Sequence, residues 1–218
     1  MKQELEQILP MDIERRSFEI ITEELKGRTF PKEQEDIIKR VIHTSADFEY
    51  ADTMTFSEDA VTSALEALKK RENTVIVTDT NMTRSGIHQV SLKKLGIEAV
   101  CFMADPDVAQ KAKKRGVTRA SVSMEKAAEL SQKTGKNIIV SVGNAPTALV
   151  TLYDLIQEGK IAPALVIGVP VGFVNVIQSK ELIMTAGVPF IVAKGRKGGS
   201  NVAAAIINAL LYKLDSER

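Results

Sequence analysis

"TVIVTDTNMTRSG", residues 74–86, decides how the rest of the chain is read. A short β-branched run ends at an aspartate, and a turn rich in hydroxyl and amide groups leads to a glycine. The same rhythm returns at "EAVCFM" (98–103), "NIIVSV" (137–142), "ALVIGV" (164–169) and "PFIVAK" (189–194), with a weaker candidate at 117–123. Strands this apolar are buried on both faces of a parallel sheet. Between them lie helical patterns at 86–95, 105–114, 124–133, 146–158, 179–186 and 199–214. The expected fold is therefore a three-layer α/β/α doubly wound structure with a mainly parallel sheet of about five or six strands. No repeat, low-complexity segment or Gly/Ser/Pro linker divides residues 1–218, so a single domain is expected.

Upstream of that rhythm, residues 1–70 read as a helical N-terminal segment packed on the 71–218 α/β body. "DIERRSFEIITEELKG" (12–27) places Ile13, Phe18, Ile20, Ile21 and Leu25 in a helical pattern and closes on a glycine. "PKEQEDIIKRVIHTSADF" (31–48) opens on proline with acidic residues in its first turn. Its stripe is Ile37, Ile38, Val41, Ile42 and Ser45. "SEDAVTSALEALKKREN" (57–73) has Ser57 as the expected N-cap and basic residues at its end.

Bulk composition excludes several classes. The chain is 44% apolar and 26% charged, which fits a globular protein rather than a disordered or fibrous one. No apolar run is long enough for a membrane helix, and "MKQELEQILP" is too acidic for a signal peptide, so a cytoplasmic protein with no membrane partner is expected. The lone cysteine, Cys101, reads as a buried small hydrophobe. The net charge of +1 conceals a split: residues 1–70 carry 10 basic and 16 acidic side chains, whereas 71–218 carry 19 and 12. A basic body suits a polyanionic small ligand, although lysines such as those of "KAKKRG" (111–116) also simply solvate helices. With no tryptophan and 5% aromatics, nucleic acid is not an expected partner.

In an open parallel sheet, ligands gather beyond the carboxyl ends of the strands. Four segments there stand out: "TDTNMTRSG" (78–86), "GNAPTA" (143–148), "GVPVGFVN" (168–175) and "KGRKGGSNVA" (194–203). Each leads into a helix, and free N–H groups at helix N-termini are expected to receive anionic groups. G-x-G-x-x-G after the first strand, G-x-x-x-x-G-K-[ST] and G-x-S-x-G are all absent, so dinucleotide, P-loop and serine-hydrolase chemistry lose their support. With two histidines and one cysteine no metal site is expected. On the 32–47 helix, Asp36, Arg40, His43 and Asp47 share one face at 100° per residue. His43 is either a satisfied interior histidine or the proton-handling group of a site, and spacing alone leaves both open. Asp47, Glu49 and Asp52 would either orient the imidazole or pair with Arg40, or else be plain helix-end residues. His88, just past a strand-end loop, reads as a helix-surface residue, with substrate contact as the lesser alternative.

The segments "IERRSF", "RVIHTSADFEY", "TDTNMTRSGI", "GNAPTAL", "GVPVGFVN" with "SKE" (179–181), and "GRKGGSNVAAAIINAL" resemble, in order, the precorrin-8X methylmutase family of cobalamin biosynthesis. The resemblance spans about residues 10 to 212. It implies an isomerase that moves a methyl group from C11 to C12 of a corrinoid, acting on cobalt-precorrin-8 or metal-free precorrin-8X to give cobyrinic or hydrogenobyrinic acid. It also implies His43 as the proton donor and no cofactor, since any cobalt belongs to the substrate. Substrate contacts carried over are Arg16, Ser17, Arg40, Thr83, Arg119, Asn144 and Thr147; Arg196 joins them as a further arginine of the rim. A homodimer with the site near the subunit interface is implied as well. The alternatives are a non-catalytic corrinoid carrier on the same fold, which has no need of His43, and an enzyme acting on a phosphorylated metabolite through the glycine-rich loops.

Overall fold

The computed structural model describes residues 6–215. A 3-10 turn at Pro10–Asp12 leads into α1 (Ile13–Glu24), α2 (Lys32–Ser45) and the short α3 (Tyr50–Thr53). Then follow β1 (Met54–Phe56), α4 (Ala60–Lys69), a second 3-10 turn, β2 (Thr74–Thr78), α5 (Asn81–Gly86), α6 (Gln89–Leu95) and β3 (Glu98–Val100). The chain continues through α7 (Pro106–Arg115), α8 (Arg119–Thr134), β4 (Asn137–Val142), α9 (Pro146–Gln157) and β5 (Leu165–Gly168). It closes with α10 (Val176–Met184), β6 (Phe190–Ala193) and α11 (Ser200–Leu214).

Six strands form one sheet in the order β1-β6-β5-β4-β2-β3. All neighbours are parallel except β1, which runs antiparallel to β6 with Met54 opposite Ala193 and Phe56 opposite Ile191. The strands alternate across the sheet as β geometry requires. Ile76, Ile139, Leu165, Ile167 and Ile191 point to the side covered by α4 and α11, with α2 packed along α11. Val75, Val77, Val140, Val166 and Val192 point to the side covered by α8, α9 and α10. These are the three layers the apolar runs imply.

Why α2 lies on α11 is plain from its sequence. Ile37, Ile38, Val41 and Ile42 are all buried. Each contributes about 2 kcal/mol by leaving water. The facing stripe on α11, from Val202 to Leu211, is buried almost throughout. The helix stops where Ala46 takes a left-handed conformation, φ 53°.

Four local expectations need correction. Residues 117–123 are not a strand: Gly116 ends α7 in the left-handed conformation, and Thr118 caps α8 by accepting from Ser121 N–H at 3.1 Å. Residues 1–70 are not wholly helical either, because Met54–Phe56 adds an edge strand. Ser57 does not cap α4; its hydroxyl accepts from Phe190 N–H at 3.0 Å and bonds Asp59 at 2.9 Å, tying the start of the helix to the sheet edge. Finally, "DIERRSFEIITEELKG" stops being helical at Glu24, short of Gly27.

Candidate active site

At the carboxyl end of the sheet, β2 and β4 lie side by side while the chain leaves them toward opposite layers, the arrangement in which α/β proteins open a ligand crevice. Here the crevice is filled from within. Asp79, buried at the end of β2, accepts N–H bonds from Gly143 (3.0 Å), Asn144 (2.8 Å) and Ala145 (2.8 Å) in the turn before α9. Burial pushes its carboxyl above the usual range, while the three amides pull it back. The expectation that this turn offers free N–H groups to an anion is thus overturned, because the protein's own carboxylate takes them. The neighbouring turns are stitched together likewise: Gly172 N–H reaches Arg196 O (3.2 Å) and Gly199 N–H reaches Val169 O (2.9 Å). Gly198 has no room for a side chain, since a Cβ there would stand 2.1 Å from Val169 O.

Concave surface lies instead between α2, α11 and the end of α5. Arg40, His43, Thr44, Gly86, Asn201 and Tyr212 help to line a hollow of about 250 Å³. Past Arg40 a wider groove of about 760 Å³ opens along α1. On the other side, sharing Thr44 and Asn201, a third hollow of about 350 Å³ reaches Val171 and Lys197. The first hollow shares Arg40 and Tyr212 with the groove and Thr44 and Asn201 with the third, so the three follow one another as a trough, with His43 lining the middle hollow.

The electrostatics of that middle are set by stacking. The His43 ring lies on Phe18 with centroids 5.3 Å apart and planes 26° apart. The Arg40 guanidinium sits over Phe18 (4.5 Å) and over Tyr212 (5.1 Å), and its Nη1 donates to Glu14. An arginine held between two rings is oriented before any ligand arrives. Burial lowers the His43 pKa below its ordinary value, Arg40 lowers it further, and Glu14 opposes both. Burial and Arg40 both favour the neutral imidazole in the unliganded protein.

The other sequence-assigned residues fall into separate places. Arg16 and Ser17 share α1 with Phe18, but Arg16 Nε pairs with Glu6 (2.8 Å) and Ser17 Oγ donates to Ile13 O (2.9 Å). Thr83 is buried and bonds Thr80, whose hydroxyl also meets Ser200 Oγ at 2.9 Å, so it locks α5 to α11. Arg119, Asn144 and Thr147 are exposed at the starts of α8 and α9, where Thr147 bonds Thr118 at 2.8 Å; none of the three lines the trough. Arg196 is exposed, its guanidinium 5.7 Å from the Phe173 ring centre. Asp36, Arg40 and His43 do share one face of α2, whereas Asp47 lies beyond its end, and the acidic residues are taken up in ion pairs. Asp36 pairs with Lys213, Asp47 and Glu49 pair with Lys197, and Asp52 pairs with Arg28. His88 caps α6 through Nδ1 and meets Tyr212 edge-on. Phe18, Asn201 and Tyr212 were missed because their spacing reads as ordinary helix; only the proximity of α1, α2 and α11 makes them a site. Among the described residues no three His, Cys, Asp or Glu side chains converge as a metal-binding group, and no helix is long and apolar enough to cross a membrane.

Lys180, in the middle of α10 and of the "SKE" stretch, takes a role that its sequence context does not reveal. It is 1% exposed, and its ammonium donates to Gly195 O (2.9 Å) and Lys197 O (2.8 Å), the carbonyls on either side of Arg196. Burial pushes its pKa down to about 8. In the unfolded chain a lysine titrates near 10.4, so between those values the unfolded state binds the extra proton and stability rises with pH. Wild type is thus expected to gain on Lys180→Met by up to about 1.4 kcal/mol per pH unit across that window. Urea midpoints from neutrality to alkaline pH test this. A constant gap between the two proteins would mean the ammonium is not desolvated.

A family profile described as precorrin-8X methylmutase matches residues 12–213. Over 209 residues the chain is 44% identical to a cobalt-precorrin-8 methylmutase of Priestia megaterium, covering 96% of this chain and 90% of that one. A cobalt-precorrin-8 methylmutase of Salmonella typhimurium is 43% identical over 210 residues, 94% of this chain and 96% of that one. Among solved structures, a precorrin-8X methylmutase from Thermus thermophilus superposes with a TM-score of 0.82 at 37% identity, over 92% of this chain and 96% of that one.

Proposed function

The chain belongs to the precorrin-8X methylmutase family, and from that premise we propose that it moves a methyl group from C11 to C12 of cobalt-precorrin-8 to give cobyrinic acid, with His43 lending the proton. Methylmutases of cobalamin biosynthesis are isomerases, and this chain is one of them. The cobalt form of the substrate is preferred because the Priestia and Salmonella relatives, at 44% and 43% identity, carry that name. The metal is then part of the substrate, and no cofactor is required.

The observation that carries the reading is the His43 ring, stacked on Phe18 and one helical turn from a pinned arginine, midway along an open trough. A methyl shift within one molecule needs little else. The bond from methyl to C11 breaks as the bond to C12 forms, and nothing is gained or lost. The protein's part is to hold the flat ring, pair its carboxylates and lend one proton that is later returned. A neutral His43 cannot lend a proton, but bringing a polycarboxylate beside it raises its pKa. Substrate binding near pH 7 therefore charges the donor. Of the two histidines only His43 lines the trough; His88 lies outside it, with its Nδ1 engaged in capping α6.

Arg40 is the rim cation that lines the middle of the trough; Arg196 stands next to Lys197 of its third hollow, and on α1 it is Arg15, beside Arg16 and Ser17 in the chain, that lines the wider groove. Arg119, Asn144, Thr147 and Thr83 belong to the reading only if a ligand or a second subunit extends the site toward them. We infer a homodimer that joins near the trough, in keeping with the exposed Leu9, Met11 and Ile13 beside it, and a cytoplasmic enzyme.

Anaerobic incubation with cobalt-precorrin-8 tests the function. The absorption spectrum should change to that of cobyrinic acid while the mass of the corrinoid stays the same. Binding with no spectral change would favour a carrier instead.

A further inference from the structure

On the corrinoid reading given above, we propose that Phe173 and Arg196 form a second aromatic–guanidinium grip on the substrate, at the end of the trough away from Phe18, Arg40 and Tyr212.

The turn between β5 and α10 exposes three large apolar side chains in succession: Val171 at 47%, Phe173 at 83% and Val174 at 79%. Apolar tips of this kind are usually explained by what covers them. This one stands on fixed backbone. Gly172 N–H is bonded to Arg196 O, Gly199 N–H to Val169 O, and Lys180 holds the carbonyls on both sides of Arg196. Asn175, left-handed at φ 57° without being glycine, turns the chain into α10 and fixes the tip's direction. Arg196 lies over the Phe173 ring at 5.7 Å, within cation–π range. Val171 and the neighbouring Lys197 line the hollow that shares Thr44 and Asn201 with the hollow of His43. One aromatic–arginine unit thus lines the trough on one side of the histidine, and a second stands just outside the hollow on the other side, next in the chain to its lining residues Val171 and Lys197. That repetition suits a flat apolar ring fringed with carboxylates: each aromatic face meets the ring, and each guanidinium meets an acid group. Lys197 is less suited to that task, since Asp47 and Glu49 hold its ammonium and raise its pKa.

The test compares wild type, Phe173→Ala and Phe173→Tyr by titration with cobyrinic acid, by turnover of cobalt-precorrin-8 and by native mass. Phe173→Ala should raise both the Kd for cobyrinic acid and KM about tenfold, more than it lowers kcat, and Phe173→Tyr should restore both. Because the side chain is exposed, the unfolding midpoint should not move. Unchanged Kd and KM in Phe173→Ala would overturn the grip, as would a change in its native mass, which would make the tip a subunit contact. If wild type itself neither binds cobyrinic acid nor converts the substrate, it is the corrinoid reading that fails, and this subsite with it.

Discussion

His43→Ala is expected to bind cobyrinic acid as wild type does and to lose about 10²–10⁴-fold in kcat, the range that a positioned proton donor supplies. Binding survives because the trough's cations and rings lie elsewhere: Arg40 keeps its place between Phe18 and Tyr212 and its bond to Glu14 whether or not the imidazole is present. The pH profile gives a second readout. A donor works only while protonated, so kcat falls as pH rises through the His43 pKa of the complex. In the free protein burial and Arg40 hold that pKa below its ordinary value, so the limb seen in kcat/KM lies at lower pH than the limb seen in kcat. Proton uptake on binding near pH 7, read with an indicator dye, is the same statement in another form. Turnover by His43→Ala within a few-fold of wild type would take the proton away from this residue.

Asp79→Ala should be strongly destabilising although Asp79 lies outside the trough. It strips the acceptor from three backbone amides at the end of β4. An orphaned buried donor costs about 1–3 kcal/mol. Even with water entering the gap, a loss of about 3 kcal/mol or more in unfolding free energy follows. Asp79→Asn keeps the shape but must turn an NH2 group toward at least one amide, so an intermediate loss of about 1–3 kcal/mol is expected. Urea unfolding of the three proteins gives the order. Equal midpoints for all three would show that the turn finds other acceptors.

How far the sequence reached can be traced through particular residues. β3, at the sheet edge, showed through a shorter apolar run, and the runs of β2, β4, β5 and β6 were legible because a strand buried on both faces has no polar phase to hide in. β1 was not, for three residues carry no pattern of their own and Met54–Phe56 is a strand only because β6 offers a free edge. Residues 117–123 misled through Val117 and Val122, while Gly116 and Thr118, a helix stop and a helix cap, stood beside them unread. The strand-end turns were found but their occupant was not. A free amide and one bonded to a distant aspartate look alike in one dimension. Of the trough, His43 and Arg40 were legible as a polar pair beside an apolar stripe. Phe18 and Tyr212 were not, since what makes them functional is that the first and last helices lie against α2.

That last arrangement bears on how the protein comes to be active. The histidine sits near the start of the chain, yet α2 rests on α11 and β1 is paired with β6. During synthesis the N-terminal helices must wait for nearly the whole polypeptide before they meet their partners. Contacts so distant in sequence form slowly and late. A partly made chain therefore has the strands of a corrinoid enzyme but no place to hold a corrinoid, and competence arrives together with the final helix.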